Sequence, residues 1–409
     1  MNYTIFCTLL AAIALPAAAA AQPARFDDVV RNLRHPEPKV RLAAVRLLRE
    51  AKYPEAIMPI SQLVLDPIDQ VQLEAIAAEL SFYLVEDVPA RRRLSFLVEV
   101  RSRGSAPTAF DLGPLAVWPR RPPDELVSAL LKAVDDENGR VRLEAIYAAG
   151  TVARAPLSEE AQQLLVKALD HYDPAVREGA ARAAGRHGVT AAADTLITKT
   201  MNDSQAPVRY AAMRSLGMLR EERAINALAE QLKFYGRGEG AWSALDGLAR
   251  IAHSSSAPIF LERINDKDPY LRRAAAEGLA RIGDKSATTA IDIGAGNETS
   301  DMARAAMTFA MQKLGRNYIP RLVEFLDEPK LTLQVQDYFL ELGEMAEKEL
   351  LPSLQESDEA IRAAVVDVLG EIGGDLSLTA LQKMTDRDKR DKDVADSVAR
   401  AIERIKIRR

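Results

Sequence analysis

Residues able to carry redox or metal chemistry are few in this 409-residue chain: one cysteine, Cys7, and four histidines, His35, His171, His187 and His253. Cys7 lies in an apolar N-terminal stretch, so a chain cut after it would offer no thiol for disulfides, metal ligation or nucleophilic attack. The histidines are followed by Pro36, Tyr172, Gly188 and Ser254, and none by Glu. A dinuclear iron centre needs imidazole and carboxylate ligands together, and no such pairing is offered. H-E-x-x-H, G-x-S-x-G and P-loop patterns are absent. Gly294-Ala295-Gly296 begins like a dinucleotide loop, but Thr299 stands where the third glycine is required. The Asp386–Asp393 run lacks the central Gly of a calcium loop and has Ser397 in place of its bidentate Glu, so it reads as a solvated turn. The sequence predicts no catalytic residue, no metal and no cofactor.

Apolar residues make up 48% of the chain but aromatics 5%, so Ala and Leu dominate the apolar part. Both are strong helix formers, and alternating β-branched runs are scarce, which points to an all-α fold. A formal net charge of −5 argues against a dedicated nucleic-acid binder. The length exceeds what one ordinary core supports, so the chain divides or grows in one dimension.

Self-similarity favours growth in one dimension. An aliphatic residue followed by Arg and small residues recurs at Val40-Arg41, Val141-Arg142, Val176-Arg177, Val208-Arg209, Leu271-Arg272, Ala303-Arg304 and Ile361-Arg362, with weaker copies at Val71, Gly240, Leu331 and Val394. Most intervals are 31 to 35 residues, which fits two short helices and two turns. In the second helix of each unit, apolar or small positions fall at i, i+4, i+7, i+8 and i+11, as in Leu271, Ala275, Gly278, Leu279 and Ile282. That paints one stripe. Asp173-Pro174, Asp268-Pro269 and Asp66-Pro67 place a capping carboxylate before a proline at the start of the helix. The recurrent Arg, one per unit and near a turn Asp, predicts a ladder of contacts between units.

These residues resemble HEAT-type repeats, in particular the short variety called PBS-lyase HEAT-like repeats. The turn Asp, the Val-Arg opening, the Ala-Ala pair and closings such as Leu216-Gly217, Ile282-Gly283 and Leu314-Gly315 carry the resemblance from about Phe26 to Arg409 with one interruption. It implies a right-handed α-solenoid of about ten helical hairpins that serves as a scaffold. Lyases and dinuclear-iron hydroxylases share the repeat, so an enzyme or enzyme subunit is the alternative, disfavoured by the missing His-Glu pairs and missing thiol.

Four segments are expected: a signal peptide (1–21), N-terminal repeats (22–100), an inserted loop rich in Pro and Arg (101–123) and C-terminal repeats (124–409). Ile5–Leu15 is apolar, Pro16 breaks it, and Ala17–Ala21 suits cleavage near Gln22; retention as an anchor is the other reading. Export to the periplasm or outside the cell follows. Two surfaces are candidates for a protein or peptide partner. One is the insert, with Phe110 and Trp118 flanked by Arg91–Arg93, Arg101, Arg103, Arg120 and Arg121, the mixture found at interface hot spots; alternatively its apolar residues cover a gap in the stack. The other is the exposed row at i+6 and i+10 of the second helices, positive at Arg182, Arg186 and Arg214 and acidic at Asp367 and Glu371.

Overall fold

Capping carboxylates, prolines and small-residue stripes build helical hairpins along the chain. The computed structural model describes residues 25–86, 105–387 and 391–409. The expected leader, Cys7, Arg91–Arg93, Arg101, Arg103 and Asp388 lie outside the described residues. These contain 23 α-helices and no strand beyond an isolated antiparallel bridge between Leu84 and Val117. The fold is an all-α solenoid.

Twelve helices position the site and are numbered here in chain order. Eleven are inner helices, the second of each hairpin: α1 (Pro38–Ala51), α2 (Asp69–Tyr83), α4 (Gly139–Val152), α5 (Pro174–Arg186), α6 (Ala206–Met218), α7 (Gly238–Ile251), α8 (Pro269–Ile282), α9 (Asp301–Lys313), α10 (Thr332–Leu342), α11 (Glu359–Ile372) and α12 (Lys392–Arg408). The remaining one, α3 (Ser105–Asp111), belongs to the insert. Successive inner helices stack through their small-residue faces into one continuous core. A Cβ added to Gly217 would come 2.8 Å from the Gly247 backbone, so α6 and α7 touch at a spacing that only glycine allows. The same Leu-Gly or Ile-Gly signature has a different task at Gly283 (φ +76°), Gly315 (φ +98°) and Gly343 (φ +58°), where a left-handed residue ends the helix.

The recurrent arginines form the ladder. Arg177 reaches Asp203 with two N–H donors at 2.9 and 3.0 Å, and Arg272 reaches Glu298 at 2.6 and 2.7 Å. Arg41–Asp66, Arg142–Asp173 and Arg362–Asp391 repeat the contact. Each of these five arginines also donates to carbonyls five and six residues before it, as Arg142 does to Asp136 and Glu137. The accepting carboxylate has its own second duty. Asp173 accepts from Ala175 N at 2.9 Å and so caps α5. One side chain thus starts its helix and ties it to the preceding repeat. Arg209 meets the Tyr235 hydroxyl instead, and Arg304 stays with Asp301 in its own helix.

The interruption leaves no gap in this stack. Gln72 holds the arginine position of α2 and donates to Asp136 at 3.0 Å, across the insert, and Asn138 donates to Asp69 at 2.6 Å. Helices α2 and α4 are direct neighbours. The 70-residue interval therefore holds one ordinary repeat with a segment looped out of it, and that segment is partly helical.

Candidate binding surface on the inner face

Positions i+6 and i+10 of the inner helices point to a shared interior space. A cavity of about 510 Å³ is lined there by residues of α5 to α8, α10 and the insert. Arg182 and Arg186 of α5 stand at one end, and Phe110 of α3 lies upon them. Phe110 is 7% exposed, packs edge-on to Tyr147 at 5.5 Å, and has the Arg182 and Arg186 guanidiniums over its ring at 4.7 and 4.6 Å. Next to it, Asp111 accepts from Arg182 at 2.5 Å. The two surfaces expected from sequence are therefore one: the insert sits on the basic row.

Backbone carbonyls of the insert are what the inner arginines grip. Arg186 donates to Phe110 O at 3.1 Å, and Arg154, just after α4, donates to Trp118 O at 2.9 Å. Arg404 of α12 donates to Leu115 O at 2.6 Å and Val117 O at 2.8 Å, and pairs with Glu371 at 2.9 Å. Arg400 pairs with Glu86 at 2.9 Å. The last helix thus closes onto a segment almost 290 residues earlier in sequence. Burial lowers the pKa of Arg186 to about 10, and the nearby positive charges of Arg154 and Arg182 lower it further in the same direction. Its Nη2 is buried without a hydrogen-bond partner among the described residues.

The other sequence-selected residues occupy the rim. Trp118 is half-buried with the Arg404 guanidinium 5.9 Å from its ring centre. Arg120 is exposed and 3.7 Å from Glu403, and Arg121 donates to Pro156 O at 3.1 Å. Arg214 pairs with Glu239 at 3.6 Å and lies outside the cavity lining.

Deeper in the cavity Glu277 is 2% exposed. It accepts from Tyr338 Oη at 2.6 Å, Arg273 at 2.8 Å and Arg281 at 3.2 Å. Burial pushes its carboxyl pKa up, but the two guanidiniums and the hydroxyl outweigh that and hold it below the usual range. Arg281 also binds Glu341 of α10. Asp246 and Arg250, the i+6 and i+10 positions of α7, do not pair with each other: Arg250 lines the cavity, and Asp246 acts on Arg273. The acidic end of the row, Asp367 and Glu371, is answered by Arg400 and Arg404. These arginines are themselves the i+6 and i+10 positions counted from Val394, as Asp337 and Glu341 are from Leu331. The repeat register alone would have found all four.

No group of three or more His, Cys, Asp or Glu side chains is arranged to hold a metal ion among the described residues. The family described as HEAT repeats matches by sequence at residues 127–201, 162–233 and 238–312. Residues 127–312 of this chain carry HEAT repeats. Among solved structures, these HEAT repeats are similar to the complex of CpcE and CpcF of phycocyanin lyase from Nostoc sp. PCC7120, with 20% identity over 60% of this chain and 94% of that one, at a TM-score of 0.37. Human deoxyhypusine hydroxylase matches at 16% identity over 69% of this chain and 97% of that one, TM-score 0.29. Kap121p bound to Nup53p matches at 14% over 92% of this chain and 44% of that one, TM-score 0.41. Likeness at these values carries no argument about activity. No curated protein sequence matches the chain.

Proposed function

We propose that this HEAT-repeat protein is a non-catalytic, exported scaffold whose inner face binds a peptide segment of a protein partner. One observation carries the reading: arginines from α5, the end of α4 and α12 converge on the backbone carbonyls of residues 110–118. Contacts to main-chain carbonyls do not depend on side-chain identity, so the same surface suits other peptide segments. The contacts of Phe110 and Asp111 support a preference for an aromatic ring between guanidiniums followed by a carboxylate on Arg182. Export rests on the apolar Ile5–Leu15 stretch and the small residues Ala17–Ala21. Among the described residues no helix is long and apolar enough to cross a membrane.

Photo-crosslinking in the native envelope tests this. Met218 lines the cavity and is 45% exposed, whereas Phe234 is outside the cavity lining and is 76% exposed. A crosslinker at position 218 is expected to capture a discrete protein and one at 234 is not. Adducts at 234 alone, or stoichiometric iron or zinc in the purified protein, would overturn the reading.

A further inference from the structure

The inner cavity carries more positive charge than its own acids neutralise. Six arginines line it against three carboxylates. Glu277 is taken up by Arg273, Arg281 and Tyr338, and Glu341 by Arg281 and Lys313. Arg182 is answered by Asp111 of the insert. Arg186, Arg220 and Arg250 then remain with no carboxylate at ion-pair distance among the described residues. The single carboxylate left to face them is Asp337. Burial raises its pKa, while Arg250 and Arg273 oppose that rise. Arg220 is exposed and Arg250 partly exposed, so a ligand can reach both.

Their placement is fixed by backbone. Arg220 follows the end of α6 in a left-handed conformation (φ +53°). The Arg250 Cβ lies within 3.1 Å of where a Cβ on Gly217 would stand, so α7 brings its side chain against the end of α6. The insert, through Phe110, Gly113 and Pro114, walls the cavity on one side. A guanidinium fork matches a carboxylate, and in a recess walled by protein the attraction is stronger than on an open surface. Neighbouring packed helices stand roughly 10 Å apart, which a peptide in the polyproline II conformation covers in about three residues, one turn of that helix. One acidic side chain in three then lies on one face and would meet one repeat each.

We propose that this cavity receives the carboxylates of an acidic peptide segment, with Arg220 and Arg250 as the groups that meet them and Asp337 as the internal charge they displace. The proposal rests on the peptide-binding reading of the inner face and names its ligand chemistry. Arg186, tied to Phe110 O, contributes field rather than contact.

The test is calorimetric titration of the full chain with hexaglutamate, hexaglutamine and inorganic phosphate as separate probes. Hexaglutamate is expected to bind and hexaglutamine is not, and the binding weakens between about 50 mM and about 300 mM salt, as exposed ion pairs do. R220Q/R250Q should lose about tenfold or more in affinity, the scale of one lost charge-assisted contact, while Arg316→Gln, an exposed arginine outside the cavity, should change nothing. Asp337→Asn should bind hexaglutamate more tightly than the parent. If Arg250 serves Asp337 structurally, that variant instead melts earlier and gains no affinity, which overturns the proposal. Phosphate binding without hexaglutamate binding also overturns it, leaving a small-anion site. Silence of hexaglutamate alongside a captured partner at position 218 would sink the acidic-ligand assignment and leave the peptide surface standing.

Discussion

At the scale of single residues, two buried titratable groups set the pH dependence of stability in opposite directions. His187 is 7% exposed, and its Nε2 is 2.9 Å from Gly150 O, which places a proton on that nitrogen. Burial lowers its pKa to about 4, outweighing the carbonyl's pull, and Arg186 and Arg154 lower it further. The fold therefore holds a neutral ring, and the associated stability is present above pH 6.5 and lost as pH falls through about 4, up to about 3 kcal/mol by linkage. His187→Gln keeps a donor and removes the titration, so its melting temperature should fall less than the parent's between pH 7 and pH 4. Glu79 is the opposite case. It stands at the i+8 core position of α2, where α6, α7 and α8 carry Leu216, Leu248 and Leu279, and neither carboxylate oxygen has a partner among the described residues. Desolvation raises its pKa well above 4.5, so its contribution is full below that pH and is lost as pH rises through the folded value. Glu79→Leu should raise the melting temperature at pH 8 and do so much less at pH 4.5. An equal gain at both values would show that the carboxyl is not the cause.

At the scale of elements, stacking is set by the arginine ladder together with the small-residue stripe. Arg177 and Asp203 are 12% and 3% exposed at the side chain, so removing either leaves the other charge buried. Urea denaturation of Arg177→Ala, Asp203→Ala and the double variant should give a coupling of about 1–3 kcal/mol. The Arg209–Tyr235 rung, with a neutral acceptor, should couple less. A coupling near zero at Arg177–Asp203 would remove the ladder from the account. This much was legible in the sequence, because each rung joins the recurrent arginine of one unit to an acid near the next turn, 25 to 31 residues on. The stripe and the caps were legible for the same reason. Helix α3 was not: Ser105–Asp111 carries a proline and no repeat signature, and its helicity depends on a bed of Tyr147 and Gly150 supplied by α4. The row's charge pattern was legible only as far as the register was carried. Counting on from Leu331 and Val394 brings in Asp337, Glu341, Arg400 and Arg404, and the acidic end then proves to be neutralised by the next helix.

At the scale of the whole molecule, contacts such as Arg404 to Leu115 and Arg400 to Glu86 depend on the curvature of the superhelix, which no local period encodes. They turn an open stack into one closed on its own insert. Deleting residues 105–118 should leave the helical signal of the stack largely intact, since α2 and α4 touch directly through Gln72–Asp136. It should lower the melting temperature, because Ala106, Ala109, Phe110 and Val117 are buried. Closure itself is open to a direct distance measurement, helped by Cys7 being the sole native cysteine. Spin labels at Leu115→Cys and Glu403→Cys, in a chain carrying Cys7→Ser, report the separation of insert and last helix in solution by pulsed electron resonance. The closed arrangement predicts a single narrow distribution shorter than about 25 Å, allowing for two linkers on residues whose helix and segment are in contact. A broad distribution centred beyond about 40 Å, as for an extended stack of hairpins roughly 10 Å apart, would contradict it.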